Sequence, residues 1–227
     1  MDPYYSRPEV SHSDLTALEK LLYGSEDRDP THAYAFGTLL DYMITEPEKV
    51  NYYNHTVAGS AYQYNDDDFA RAAIMKRSFF KDQLCKMLAG AASFQAVSTR
   101  YEWPIEHAGF EFIFSAGVRC KWDLLVRPWK MGGDIKSTVS ETEKQFEAAC
   151  HHFNYFRSRA WYMDIEGTDK DVLIGISKKN YKVFKIGLDR NAPLGTKARD
   201  LYELGKSQYQ ELAFKYWTLF DGIKLVA

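Results

Sequence analysis

Hydrophobic residues in the first part of the chain recur at helical spacing. The clearest run begins near Thr31 and stops before Pro47, with apolar side chains at i, i+3, i+4 and i+7: Phe36, Leu39, Leu40 and Met43. Those positions share one side of a helix, so the pattern predicts a helix that buries one face. Pro47 lacks the backbone N–H that a further turn needs, so the helix is expected to end before it.

Two further helices are predicted on either side of that one. A short helix over residues 15–22 lies between Ser13, a candidate N-cap, and Gly24, a residue suited to a helix end. A longer helix runs from several cap candidates at residues 65–68 to Gly90. The acidic residues at its start favour a helix N-terminus at this position, because negative groups stabilise the N-terminal end of a helix dipole.

After Gly90 the pattern changes to alternation in stretches rich in aromatic and β-branched residues, which is typical of strands. The predicted strands are residues 94–101, 109–114, 117–126, 133–137, 161–165, 172–177 and 183–188. Turns are predicted at Ala116-Gly117 and at Lys179-Asn180.

Two more helices complete the series. One opens at a capping-box spacing in residues 140–143 and runs to about Arg159, and the last covers residues 196–219. This order of elements indicates an α/β or α+β fold with a central mixed sheet flanked by helices.

Length and composition fit one globular domain. Of 227 residues, 45% are hydrophobic and 26% charged, which excludes a disordered or collagen-like chain. We expect one domain over 1–227, divided into a helical part, a sheet and a C-terminal helix: residues 1–92, 93–190 and 195–220. The three cysteines form no CxxC pair, which excludes a disulfide framework. There is no membrane-length apolar run and no signal-peptide pattern at the start, so we expect no membrane partner and a cytoplasmic protein.

The net charge of −2 is unevenly distributed along the chain. Residues 1–69 carry 4 basic and 13 acidic side chains, whereas residues 177–207 carry 8 basic and 3 acidic ones. A polarised molecule can present a basic face to a polyanion while its total charge stays near zero. Chance clustering on a solvated surface explains the same numbers, so charge alone leaves both interpretations open.

The most informative polar residues lie in the central strands. Asp123 lies in one predicted strand and, after ten intervening residues, Asp134-Ile135-Lys136 occupies the next. Alternate residues of a strand share a face, so Asp134 and Lys136 project together, and neighbouring strands about 4.8 Å apart let Asp123 approach them. Two converging carboxylates repel unless a cation lies between them, and their hard oxygens suit Mg²⁺ or Mn²⁺.

Such a group has the components needed to hydrolyse a phosphodiester. A bound divalent cation lowers the pKa of its water, and a nearby lysine orients that water and offsets charge on the phosphate. An exposed hairpin with ordinary charges would show the same spacing, so this short pattern alone does not decide between the two interpretations.

The surrounding sequence adds motifs to this pattern. Asp123 and Asp134-Ile135-Lys136, followed by Ser137-Thr138, resemble the signature of the PD-(D/E)xK nuclease superfamily, and within it the RecE-type and phage-exonuclease-like branch. Further segments resemble that branch in chain order: Tyr4-Tyr5 with residues 11–15, residues 36–41 with Glu46-Pro47-Glu48, residues 159–162, and Gly205-Lys206 with Tyr209 and Leu212. Together they span nearly the whole chain.

The resemblance implies a restriction-endonuclease-like core and a Mg²⁺-dependent deoxyribonuclease in which Mn²⁺ can substitute. It implies Asp41, Asp123 and Asp134 as metal ligands, together with the backbone carbonyl of Ile135, and Lys136 as the residue that positions and activates water. It also implies 5′-to-3′ digestion of double-stranded DNA ends in phage-type recombination. The implied partners are a single-strand annealing protein and further copies of the chain in a ring-like trimer or tetramer.

Two positions depart from the family pattern. The family's helical metal ligand is typically histidine, and Asp41 stands there; aspartate suits Mg²⁺, whereas imidazole favours softer metals. The alternative is that Asp41 is plain helix surface. Arg159 replaces a glutamine beside the active site, where it is expected either to hold a DNA phosphate bidentately or to form a surface ion pair.

Substrate phosphates are expected to bind the basic residues near these strands: Arg119, Lys121, Arg159, Lys178 and Lys179. Two rival functions remain open. A catalytically silent relative would bind DNA or a partner protein, and a phosphohydrolase for small substrates would have an enclosed pocket with no basic groove.

Overall fold

The computed structural model describes residues 3–24 and 29–222. The helices are α1 (His12–Tyr23), α2 (Thr31–Thr45), α3 (Asp66–Lys81), α4 (Gln83–Ala91), α5 (Glu143–His152), α6 (Tyr155–Glu166) and α7 (Lys197–Phe220). The strands are β1 (Val10–Ser11), β2 (Val50–Asn51), β3 (Thr56–Val57), β4 (Ser93–Arg100), β5 (Ile105–His107), β6 (Phe110–Phe112), β7 (Val118–Val126), β8 (Met131–Thr138), β9 (Lys170–Ser177) and β10 (Val183–Asp189).

A mixed sheet forms the centre of the described part of the chain. Its strands follow the order β1, β7, β8, β9, β10, and β4 pairs with the other edge of β7. The β1–β7 and β8–β9 pairs are parallel, whereas β4–β7, β7–β8 and β9–β10 are antiparallel. Two short hairpins, β2–β3 and β5–β6, lie outside this sheet.

Helices cover both faces of the sheet. On one face, α1, α5, α6 and α7 contribute buried residues such as Leu15, Phe146 and Trp161 to one apolar cluster. On the other, α2, α3 and α4 contribute residues such as Leu40 and Met75 to a second cluster. The predicted fold class, a central mixed sheet flanked by helices, is confirmed.

The helix predictions are confirmed where one face alone is buried. In α2, Phe36, Leu39, Leu40 and Met43 are all almost completely buried. Helix α1 begins earlier than predicted, because Ser11 and not Ser13 forms its capping box.

The long helix predicted from residue 65 to Gly90 is two helices. Asp82 has an extended backbone (φ −71°, ψ 126°) and its carboxylate accepts a hydrogen bond from the N–H of Cys85 at 3.1 Å. A side chain that caps a new helix competes with continuation of the old one, which explains the break.

The largest error lies around Arg159. The helix predicted to run to about Arg159 ends at His152 in the structure. The segment 161–165, predicted as a strand, is part of helix α6. Asn154 separates α5 from α6 with a left-handed backbone, φ 53°. Helix α6 is buried on nearly every side, so its apolar residues show no one-sided helical spacing. The strand predicted at 109–114 is the short β6, paired with β5 outside the central sheet.

Within the described residues, no helix combines the length and apolar character needed to cross a bilayer.

Candidate active site

Strands β7 and β8 separate in the middle of the sheet. Their pairing starts at Val126 and Met131 and ends at Leu124 and Gly133. Beyond that point β8 continues beside β9, while the same edge of β7 pairs with β1 at Val118 and Arg119. A gap therefore lies between residues 120–123 of β7 and residues 134–138 of β8. The sequence-predicted carboxylates of both strands lie at its closed end.

Asp123 bonds across the start of this gap. Its Oδ2 accepts a hydrogen bond from the N–H of Ile135 at 2.8 Å, replacing a backbone partner on β7. Burial, and then the negative charge of Asp134, raise the pKa of Asp123 to about 6. The surroundings of Asp123 therefore disfavour the charged form of its carboxyl group.

Asp134 and Lys136 form an ion pair on the adjacent strand. They lie two residues apart on β8, so they share a face, and the Nζ atom of Lys136 is 2.7 Å from Oδ2 of Asp134. Burial by itself lowers the pKa of Lys136, but the charges of Asp134 and Asp123 outweigh burial and raise it. Lys136 is therefore an ammonium at neutral pH, and it also lies over the ring of Tyr155, 5.2 Å from its centroid.

Asp41 reaches the same place from α2. Its carboxylate accepts hydrogen bonds from the side-chain amide of Gln95, at 3.2 and 3.0 Å, and from the hydroxyl of Thr45 at 3.2 Å. Gln95 has a left-handed backbone, φ 50°, within β4. Burial, and then the charge of Asp123, raise the pKa of Asp41 well above its ordinary value. The structure thus places Asp41 close to Asp123 and not on an isolated helix surface.

The chemistry of these groups fits a hard divalent cation. Asp41 and Asp123 accept hydrogen bonds only from neutral donors within the described chain, and both have raised pKa values. Carboxylate oxygens, with the nearby carbonyl of Ile135, are the ligands that Mg²⁺ prefers. The side chains are not gathered, however: the described residues contain no three His, Cys, Asp or Glu side chains positioned to hold a metal ion. The donors fit by type, and coordination requires side-chain rotation, above all of Asp134.

Arg159 is the main correction to the expected site. Its side chain is 1% exposed, its Nη2 and Nε atoms donate to Asp171 at 2.8 and 3.1 Å, and its Nη1 donates to Oδ1 of Asp134 at 3.1 Å. The guanidinium also lies against the rings of Trp122 and Tyr162. It is therefore enclosed by protein groups and forms neither a surface ion pair nor an accessible phosphate contact.

Asp171 is a site residue that the sequence analysis missed. It is 1% exposed and lies at the start of β9, next to Gly132 of β8. Its signal in the sequence is weak, because it is the last of three consecutive charged residues, 169–171, that precede a strongly apolar strand.

Arg119 is likewise not available to a substrate in this structure. It is 4% exposed and donates to the carbonyls of Arg7 and Glu9, which joins the N-terminal segment to β7. The expected DNA contact is replaced by a structural one, because β1 pairs with β7 at this residue.

The three lysines differ in their surroundings. Lys121 is partly buried on β7 beside the gap. Lys178 is partly buried, with Nζ 4.3 Å from the ring centroid of Phe36. Lys179 is exposed and pairs with Glu141 at 2.9 Å. All three stay predicted phosphate contacts, and in this structure Lys179 pairs with Glu141.

The chain matches no known family model and no curated protein. Among solved structures, it resembles one from Eubacterium rectale whose assignment as an exonuclease is provisional: TM-score 0.50, 17% identity, 86% of this chain and 71% of that one. A phage-related exonuclease from Haemophilus somnus 129PT is more distant: TM-score 0.38, 11% identity, 92% and 96% of the two chains. At this identity the first likeness shows the fold alone, a mixed sheet flanked by helices as in an exonuclease-like structure.

Proposed function

We propose that this protein is a metal-dependent DNA nuclease that hydrolyses phosphodiesters at the gap between β7 and β8. One observation carries the proposal: Asp41 from a helix, and Asp123 and Asp134 from two separating strands, interact electrostatically beside the ammonium of Lys136. Within the described chain, Lys136 and Arg159 form ion pairs with Asp134 and not with Asp41 or Asp123. An added divalent cation would therefore offset the repulsion that, after burial, raises the pKa values of Asp41 and Asp123.

In this proposal Asp41, Asp123, Asp134 and the carbonyl of Ile135 would hold Mg²⁺, and Mn²⁺ could replace it. When bound, the metal supplies Lewis-acid stabilisation of phosphate charge and lowers the pKa of a water molecule. Lys136, held as a cation by Asp134, donates hydrogen bonds to the attacking water or to a phosphate oxygen and so orients it. The N–H of Ile135 fixes the carboxylate plane of Asp123.

The finer proposal is a 5′-to-3′ exonuclease that acts on double-stranded DNA ends in phage-type recombination. It is supported by the motif resemblance, and the exonuclease name of the Eubacterium rectale structure agrees with its coarser part, a nuclease. We further propose a single-strand annealing protein as partner, a ring-like trimer or tetramer, and activity in the cytoplasm.

Replacement of either strand residue tests the chemistry. Asp134→Ala and Lys136→Ala should each lower Mg²⁺-dependent nucleotide release by about 100-fold or more, because each removes a group that stabilises developing charge. Release of acid-soluble nucleotides from linear duplex DNA measures the effect. Circular dichroism melting shows whether the fold survives.

Asp200→Asn is the matched control, because Asp200 is an exposed carboxylate on α7 and has no assigned role. It should leave release unchanged. Undiminished release from folded Asp134→Ala or Lys136→Ala protein would contradict the assignment.

A second candidate is a catalytically silent relative that binds DNA or protein. The observation that favours it is Asp134, whose two oxygens already face Lys136 and Arg159. Titration calorimetry with Mn²⁺ separates the two. A nuclease should bind the ion with an affinity that falls in Asp123→Asn, whereas a silent relative should show no saturable binding.

A further inference from the structure

Two aromatic rings lead from the protein surface to Lys136. Tyr155, the first residue of α6, has its ring beneath the ammonium of Lys136, with Nζ 5.2 Å from the ring centroid. The same ring stacks on that of Phe153, with 5.6 Å between the centroids and 26° between the planes. Phe153 is 57% exposed and the side chain of Lys136 is 28% exposed. Solvent therefore reaches both ends of this arrangement, and one end is the proposed catalytic lysine.

The break between α5 and α6 brings the two rings together. In an uninterrupted helix, residues two apart point about 200° away from each other, so their side chains do not meet. Asn154, which lies between the two aromatic residues, has a left-handed backbone with φ 53°, and this turns the chain. Its side-chain amide donates to Glu19 of α1 at 3.3 Å, and Glu19 also accepts two hydrogen bonds from Arg157. The rings are thus positioned before any ligand binds.

The ring of Phe153 has surface left for another flat group. Among the described residues its one parallel neighbour is Tyr155, whereas the ring of His152 meets it at 74°. Aromatic rings favour offset stacking with a further ring. Every nucleobase has such a flat π-face, so stacking on aromatic side chains binds bases with little regard to sequence.

The position of Lys136 favours a nucleotide over a protein side chain as the occupant. In the proposed reaction Lys136 donates to the attacking water or to a phosphate oxygen, so a DNA phosphate lies beside it. A base is joined to its phosphate through one sugar, and the rings next to Lys136 are those of Tyr155 and Phe153. A cation beside aromatic rings is the combination with which proteins bind separated strands.

We propose that Phe153 and Tyr155 form a stacking platform for one unpaired base of the DNA strand whose phosphate lies at Lys136. The platform positions the strand and takes no part in bond cleavage. It rests on the proposed nuclease function, and it adds two base-binding residues that no motif identifies.

Fluorescence of 2-aminopurine, an adenine analogue whose emission falls when it stacks, tests the platform. Single-stranded oligonucleotides that carry the analogue at one terminal nucleotide at a time are bound to the full chain in EDTA, so that no cleavage occurs. Phe153→Leu keeps an apolar side chain and removes the ring. It should abolish the fall in emission and weaken binding by about 5- to 150-fold, the range for loss of one base–aromatic contact. Tyr155→Phe keeps the ring and should retain both properties.

Salt dependence distinguishes stacking from a phosphate contact. Because Phe153→Leu removes no charge, it should weaken binding without changing the slope of log K against log salt between about 50 and 200 mM. Phe110→Leu is the matched control, since Phe110 is 64% exposed and likewise stacks on one ring, that of Phe214, and belongs to no proposed site. It should behave as wild type, and melting temperatures verify that all variants fold.

Wild-type affinity and a wild-type fall in emission in folded Phe153→Leu protein would overturn the platform and leave the nuclease proposal standing. A changed oligomeric mass of Phe153→Leu with unchanged DNA binding would overturn it too, because the ring would then contact protein. A wild-type protein that neither binds nor cleaves DNA would overturn both proposals.

Discussion

Arg159 and Asp171 form a buried ion pair, which makes Arg159 a structural residue and not a substrate contact. Each is 1% exposed, and the two form a bidentate ion pair deep in the protein. Removing two charges from water is costly, and their mutual attraction offsets that cost only with good geometry and further hydrogen bonds. The pair is neutral as a unit, so Arg159 can bond to Asp134 without altering the net charge of the site.

The pair predicts strong coupling between its members. Arg159→Gln leaves the Asp171 carboxylate buried without its cation and should lower the free energy of unfolding by about 3–5 kcal/mol. The double variant Arg159→Gln with Asp171→Asn should regain most of that loss, because both charges are gone. Urea unfolding of the two single variants and the double variant measures the coupling. Strictly additive losses would show that the two side chains do not act as a unit.

At the scale of elements, helices α6 and α7 pack closely through a glycine. A Cβ atom at Gly205 would lie 2.2 Å from the carbonyl oxygen of Phe156 and 3.1 Å from Cβ of Ala160. The backbone of α7 therefore touches α6, the helix that carries Arg159. No larger residue fits there without moving the helices apart.

Gly205→Ala should accordingly lower the free energy of unfolding by about 1–3 kcal/mol, the usual cost of forcing atoms into a packed core. Gly37→Ala is the matched control in α2, since a Cβ there meets no atom within 4 Å. That substitution should stabilise the protein by about 0.5–1 kcal/mol, because alanine loses less backbone entropy in a helix. Chemical denaturation measures both, and equal effects of the two substitutions would contradict the close contact.

Helices α2 and α6 show why some elements could be predicted from the sequence and others could not. Helix α2 buries one side only, so its apolar spacing revealed it, and Asp41 was correctly assigned to a helix. Helix α6 buries Arg157, Arg159, Trp161 and Asp164 alike, and its composition was mistaken for the end of one helix followed by a strand. Periodicity reports a difference between two faces, and it is lost when both faces are covered.

At the scale of the whole molecule, the proposed exonuclease predicts a dependence on DNA ends. Linear duplex should be degraded in Mg²⁺, whereas a covalently closed circle of the same sequence should remain intact, because only a free end would deliver a strand into the gap between β7 and β8. Gel electrophoresis of both substrates in one reaction provides an internal control. Opening of the closed circle would indicate an endonuclease and would contradict this part of the proposal.

The sequence by itself determined the mixed α/β character, the strand that carries Asp123 and the pairing of Asp134 with Lys136 on one strand face. These features depend on spacing over a few residues, which the backbone geometry of a strand or helix converts directly into direction. Only the tertiary structure decided where β7 and β8 separate and that Arg119 and Arg159 are buried. Those outcomes join residues far apart in the chain, and they follow from the order in which strands assemble and helices cover them, which local pattern does not encode.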